Sequence, residues 1–206
     1  SGDDRQGEYS RSISQASGDQ VWDFSFGAGY PFLLVNNRLL ITPLLGYSYH
    51  VQNLRITDGE QVITYPTGPP LGSLDGLDST YRARWMGPWL GCDLRYRFFG
   101  GTAGDPPMEL GLSLELHRAE YSAEANSNLI RTFDHPTSFE HEADGMGYSL
   151  TTEWLIELAM QWDVTVRFHY QHWRTDSGRD RIHYASGGTG TQQLNEVQWY
   201  TKSFML

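Results

Sequence analysis

The chain has 206 residues, with 15 Lys and Arg against 25 Asp and Glu, a formal net charge of −10 and 1 Cys. That balance excludes a nucleic-acid partner, which needs clustered cations, and the lone Cys92 excludes an internal disulfide or a thiolate zinc site. With 22 Gly, 9 Pro and 14% aromatic residues, one β-rich unit over residues 1–206 is expected.

Along the chain, residues 21–34 read VWDFSFGAGYPFLL, with Trp22, Phe24, Phe26, Ala28, Tyr30 and Phe32 on one parity and Asp23, Ser25, Gly27 and Gly29 on the other. Strand side chains alternate between faces, so this strand has an aromatic face and a small, polar one. In residues 39–51 Leu39, Ile41, Leu45, Tyr47, Tyr49 and Val51 oppose Thr42, Gly46, Ser48 and His50. Further on, Met86, Leu90, Cys92, Leu94, Tyr96 and Phe98 oppose Trp85, Gly87, Trp89, Gly91, Asp93, Arg95 and Arg97. Met108, Leu110, Leu112, Leu114 and Leu116 then face away from Glu109, Gly111, Ser113, Glu115 and His117. Two more strands carry Met146 to Leu158 and Val164 to Tyr170 on apolar faces, opposite Glu153, Glu157, Arg167, His169 and Gln171. Residues 197–206 form a last strand of ambiguous parity, which makes about seven.

Connectors alternate between short turns, at residues 35–37, 100–107 and 160–161, and long polar segments at 53–78, 122–142 and 176–194. Short turns at one end and long loops at the other, with strands exceeding the 9 to 11 residues of a tilted crossing, describe an antiparallel up-and-down transmembrane β-barrel. A soluble ligand-binding β-barrel also alternates, but its polar face is usually rich in Lys, Glu and Thr, whereas here it is rich in glycine. The aromatic face is therefore expected to meet lipid, with Asp23 and Ser25 facing the lumen. Sheet edges do not survive in hydrocarbon, so the barrel must close. With seven strands, the first begins at the long-loop end and the last ends at the short-turn end, which implies an odd number of further strands upstream.

The stretches GYSYHVQNLRITDG (residues 46–59), STYRARWMGPWLGCDLRYRF (79–98) and FDHPTSFEHEADGMGYSL (133–150) resemble the omptin-like outer-membrane barrels, especially the branch called Protochlamydia outer membrane protein-like. The resemblance implies about ten strands and an outer-membrane location in a Gram-negative cell. It also implies an outer-membrane endopeptidase as an alternative activity, with Asp3, Asp4, Asp134 and His135 as the candidate water-activating groups. Omptin pairs are spaced by one residue. These pairs are adjacent, and adjacent strand residues point to opposite faces, so the leading reading is non-enzymatic, with a structural, pore-like or partner-binding role at the cell surface.

Residues 139–142, FEHE, offer carboxylate and imidazole groups of opposite parity and carry no metal expectation. GGTGTQQ, residues 187–193, has no following helix to hold a phosphate and reads as a flexible loop. No cofactor is expected. A lumen charge network is expected, in which Asp93, Arg95 and Arg97 face Glu109, Glu115 and His117, and Glu153 and Glu157 face Arg167 and His169, pairing across strands and plugging the bore. Arg82, Arg84, Arg118 and Arg174 extend outward parities at the long-loop end. Mid-membrane they would cost about 2–4 kcal/mol each, so they belong at the outer interface, where guanidinium forks suit lipopolysaccharide phosphates. The omptin resemblance implies a lipopolysaccharide-binding exterior as well. Expected partners are thus outer-membrane lipid and lipopolysaccharide, with a membrane protein complex as a further candidate.

Overall fold

Every regular element in the computed structural model, which describes residues 11–16, 20–64, 68, 70–98, 108–158 and 162–206, is a β-strand. The strands are β1 (Arg11–Ala16), β2 (Gln20–Gly29), β3 (Phe32–Leu34), β4 (Leu39–Ile63), β5 (Gly72–Leu74), β6 (Ser79–Phe98), β7 (Met108–Asn126), β8 (Phe139–Glu157), β9 (Asp163–Thr175), β10 (Gly178–His183), β11 (Thr189–Leu194) and β12 (Gln198–Met205). All 12 belong to one antiparallel sheet. Its main ladder runs β2-β4-β6-β7-β8-β9-β12, each strand beside its neighbours in sequence.

These seven are the strands that alternation predicts. The five others correct the expected count. β3 continues β2 past Pro31, β5, β10 and β11 lie in segments expected to be loops, and β1 precedes the first expected strand. β4 runs on to Ile63, and the glycine-rich stretch expected to be flexible contains β11, which forms a hairpin with β10. The reason is physical. In β1, β5, β10, β11 and the far half of β4 neither face is consistently apolar, so the ladder continues without the hydrophobic alternation that reveals a strand. The turn at residues 35–38 falls where the sequence places it, with positive φ at Val35, Asn36 and Asn37. The other two short turns and residues 1–10 lie outside the described residues.

Register converts parity into rows. On one face Tyr96, Leu110, Trp154 and Val166 stand in line, as do Leu90, Leu116, Tyr148, His172 and Tyr200. Exposed apolar side chains fill this face, Leu90 at 64% and Leu116 at 59% among them. From Pro88 to Phe98 the strand rises about 33 Å.

The other face turns inward. His50 on β4 and Trp173 on β9 lie 4.6 Å apart between ring centroids, although β6, β7 and β8 separate their strands. In a flat sheet they would stand about 19 Å apart, so the sheet curls and its polar-parity face is concave. Among the described residues β2 and β12 are the two ends of the main ladder, and because consecutive ladder strands alternate, they run in the same direction.

Candidate functional site

The concave face divides into two halves. Towards the long-loop end it is filled by rings. Trp85 and Trp173 are 1% and 0% exposed, and Trp89, Tyr121, His50 and His117 are buried with them. Trp173 is the hub, with its centroid 4.6 Å from His50, 4.7 Å from His117, 5.9 Å from Trp85 and 6.4 Å from Trp199. Neighbouring strands make room for the indoles with glycine. A Cβ on Gly27 would come within 2.6 Å of Trp89, one on Gly46 would overlap the same ring, and one on Gly147 would overlap Trp173. Pairing large rings with bare backbone in this way gives dense packing without bending the ladder.

Polar groups within the cluster are tied in pairs. The His50 Nδ1 is 2.7 Å from Asp23 Oδ1 on β2, leaving Nε2 buried with no partner among the described residues. His117 bridges Ser48 Oγ at 3.0 Å through Nδ1 and Glu115 Oε2 at 3.1 Å through Nε2. Ser, His and Glu in sequence resemble a nucleophilic relay, but Ser48 is 1% exposed and a substrate could not reach its oxygen.

Towards the short-turn end the same face is open and charged. Asp93, Arg95, Glu153, Arg167 and His169 line a cavity of about 320 Å³. Arg97 stands directly opposite Glu109, and Arg95 and Arg97 reach its two oxygens at 3.4 and 3.3 Å. Glu153 stands opposite Arg167, which donates from Nε at 2.8 Å, and His169 is hydrogen-bonded to Thr151. The arginines remain about half exposed, so these pairs line space and do not fill it. Three expected pairings are corrected by register. Asp93 faces Ser113 and Thr42, Glu115 is engaged by His117 of its own strand, and Glu157 faces Asp163.

Beyond the aromatic half, towards the long-loop end, Tyr81 is hydrogen-bonded to Tyr121 and to His141 Nδ1, and His141 Nε2 lies 3.4 Å from Asp180 on β10. Burial pushes the His141 imidazole below its ordinary range, against the attraction of Asp180. Here too Arg55 holds the Asp78 carboxyl below the usual carboxylate range, chiefly through its hydrogen bond. No group of three metal-ligating side chains forms among the described residues.

Of the peptidase candidates, Asp3 and Asp4 lie outside the described residues. The Asp134 carboxylate accepts the His135 backbone N–H at 2.9 Å, while the His135 ring is held by Asn126 at 2.7 Å. The two are therefore joined through the main chain, with the imidazole turned to an amide.

The four outward arginines separate into two kinds. Arg84 is ion-paired with Glu124 at 3.0 Å, and Arg82 faces the same Glu124. Arg118 and Arg174 both oppose Met146 from either side in one cross-strand row, without a carboxylate partner among the described residues. Leu116, Tyr148 and His172 line a shallow groove beside them. Arg84 lies four residues from this row, about 13 Å along the strand, too far to share a ligand atom with Arg118.

Sequence reasoning placed Trp85 and Trp89 on the polar parity without drawing the consequence, and Trp173 follows the parity of His169 and Gln171. The signal was present as indoles alternating with glycines. A family model described as Protochlamydia outer membrane protein matches residues 1–206. No curated protein matches the chain.

Proposed function

The chain belongs to the Protochlamydia outer membrane protein family and is an outer-membrane protein, and from that premise we propose that it forms a narrow, non-enzymatic, pore-like β-barrel whose bore is closed at rest by the aromatic cluster. The observation that carries this reading is the contact of Trp173 with His50 and His117 across the concave face. An apolar outer face running about 33 Å along β6, or about 25 Å in height at the tilt near 40° usual for membrane strands, supports lipid contact, and the edges of β2 and β12, unpaired among the described residues, call for closure, since open ladders are not tolerated in hydrocarbon. Because both edges run the same way, they do not pair antiparallel with each other. A second copy in the same orientation would present parallel seams.

Reconstituted in planar bilayers at neutral pH, the protein is expected to be nearly silent, and Trp173→Ala together with Trp85→Ala to conduct. Large steady conductance of the unaltered protein would sink the closed-bore reading.

Lipopolysaccharide is the proposed lipid partner, held by Arg118 and Arg174. Arg174 lines an apolar groove at the upper margin of the band and Arg118 stands on the other side of Met146 in the same row, where a phosphate with acyl chains below it has both its charge and its hydrocarbon met. Replacing both with Ala should lower the lipopolysaccharide retained on purification several-fold, while Arg84→Ala, already neutralised by Glu124, should leave it unchanged. Equal retention in both variants would remove the assignment.

A further inference from the structure

We propose that the His50–His117 pair is a proton-operated latch on the aromatic plug, closed when both imidazoles are neutral and released when both are charged. The proposal rests on the barrel reading for what is released, but its core is the packing of two buried imidazoles on one indole. Their ring centroids lie 6.3 Å apart, and both contact Trp173. Histidine is the side chain whose charge ordinarily changes between pH 5 and 8.

Each ring is placed to take a proton. His50 commits Nδ1 to the Asp23 carboxylate and leaves Nε2 bare, so a proton there forms an imidazolium with a counter-ion at 2.7 Å. His117 has Glu115 at 3.1 Å on one nitrogen and the Ser48 hydroxyl, which can turn to accept, on the other. The remaining elements packed on the pair, β6, β8, β9 and β12, present indoles, Gly147, Ser149 and Gln171, so among the described residues Asp23 and Glu115 are the facing charges. One imidazolium is favourable on an indole face. A second, 6.3 Å away inside the same cluster, repels the first. The two carboxylates pull in different directions, Asp23 towards the β2 edge and Glu115 towards the open half, so relief of the repulsion draws both rings off Trp173.

The test uses the purified full chain. In detergent, tryptophan emission should shift to the red between pH 7.5 and 5.0. In vesicles of outer-membrane lipids, potassium flux should rise at least tenfold over the same interval. His50→Gln with His117→Gln should hold both readouts at their neutral-pH values at pH 5.0. Asp23→Asn, at an accessible edge position, removes the carboxylate that draws His50 away and should weaken both responses at pH 5.0, which guards against a double variant that merely misfolds. An emission spectrum indifferent to pH, or an identical shift in the double variant, would overturn the latch. An emission shift that depends on the two histidines but brings no flux would retain the proton response and overturn the pore reading on which release was built.

Discussion

The two halves of the concave face are built from the same strands and the same parity, yet they are held in opposite ways. Around Trp173 the space between strands is filled by rings lying on glycine. Around Arg95 and Arg167 it is left open, with ion pairs on its wall. Charged side chains at half exposure keep their hydration and gain little from each other, whereas an indole gains only by shedding water. The curled sheet is therefore pinned at one end and hydrated at the other.

The largest expected effect separates the halves by truncation. Trp173→Ala should cost about 3–5 kcal/mol of stability, the range for deleting a large buried ring, whereas Arg167→Ala should cost at most about 1 kcal/mol. Urea unfolding from lipid vesicles measures both, and equal losses would erase the distinction. A finer comparison makes one chemical change in both places. Gly147→Ala and Gly46→Ala drive a methyl group into Trp173 and Trp89, and each should cost about 1–3 kcal/mol. Gly111→Ala, where the new Cβ would meet Glu153 at an ordinary 3.4 Å, should stay within about 0.5 kcal/mol.

The smallest effect extends the ring-filled half upward to His141. Its imidazole is held below the ordinary 6.5 by burial, so the folded state binds its proton less readily than the unfolded chain. The contribution is complete above pH 6.5 and is lost as pH falls from there towards the lowered folded value. Hydrogen-exchange protection in the β10–β11 hairpin, taken relative to the intrinsic exchange rate at each pH and tied to β8 partly through Asp180, should fall over that interval, and His141→Phe should flatten the response. Protection that rises on acidification would show that the attraction of Asp180 outweighs burial.

Much of this was legible in residue order. Alternation in MELGLSLELHR assigns β7 and its apolar face without any partner, and the same holds for β2, β6, β8, β9 and the first half of β4, whereas the parity of β12 stayed ambiguous until its pairing with β9. The polar extensions were not legible, because beyond residue 52 neither face of β4 is consistently apolar and only pairing with β1, β5 and β6 keeps it extended. The candidate site was half legible. Parity put Arg97, Glu109, Glu153 and Arg167 on one face, but whether Arg97 meets Glu109 depends on register, and a shift of two residues would have matched it with Gly111 or Pro107.

Composition and period two therefore determined by themselves that the protein is an antiparallel β-sheet with one apolar and one small, polar face, because each residue's face follows from its own position along the strand. Tertiary structure alone decided what the polar face became. A Trp two residues from a Gly on one strand says nothing about the strand beside it. Only register sets Trp89 over Gly46 and Trp173 over Gly147, and only the curl of the sheet brings His50 from β4 onto Trp173 of β9.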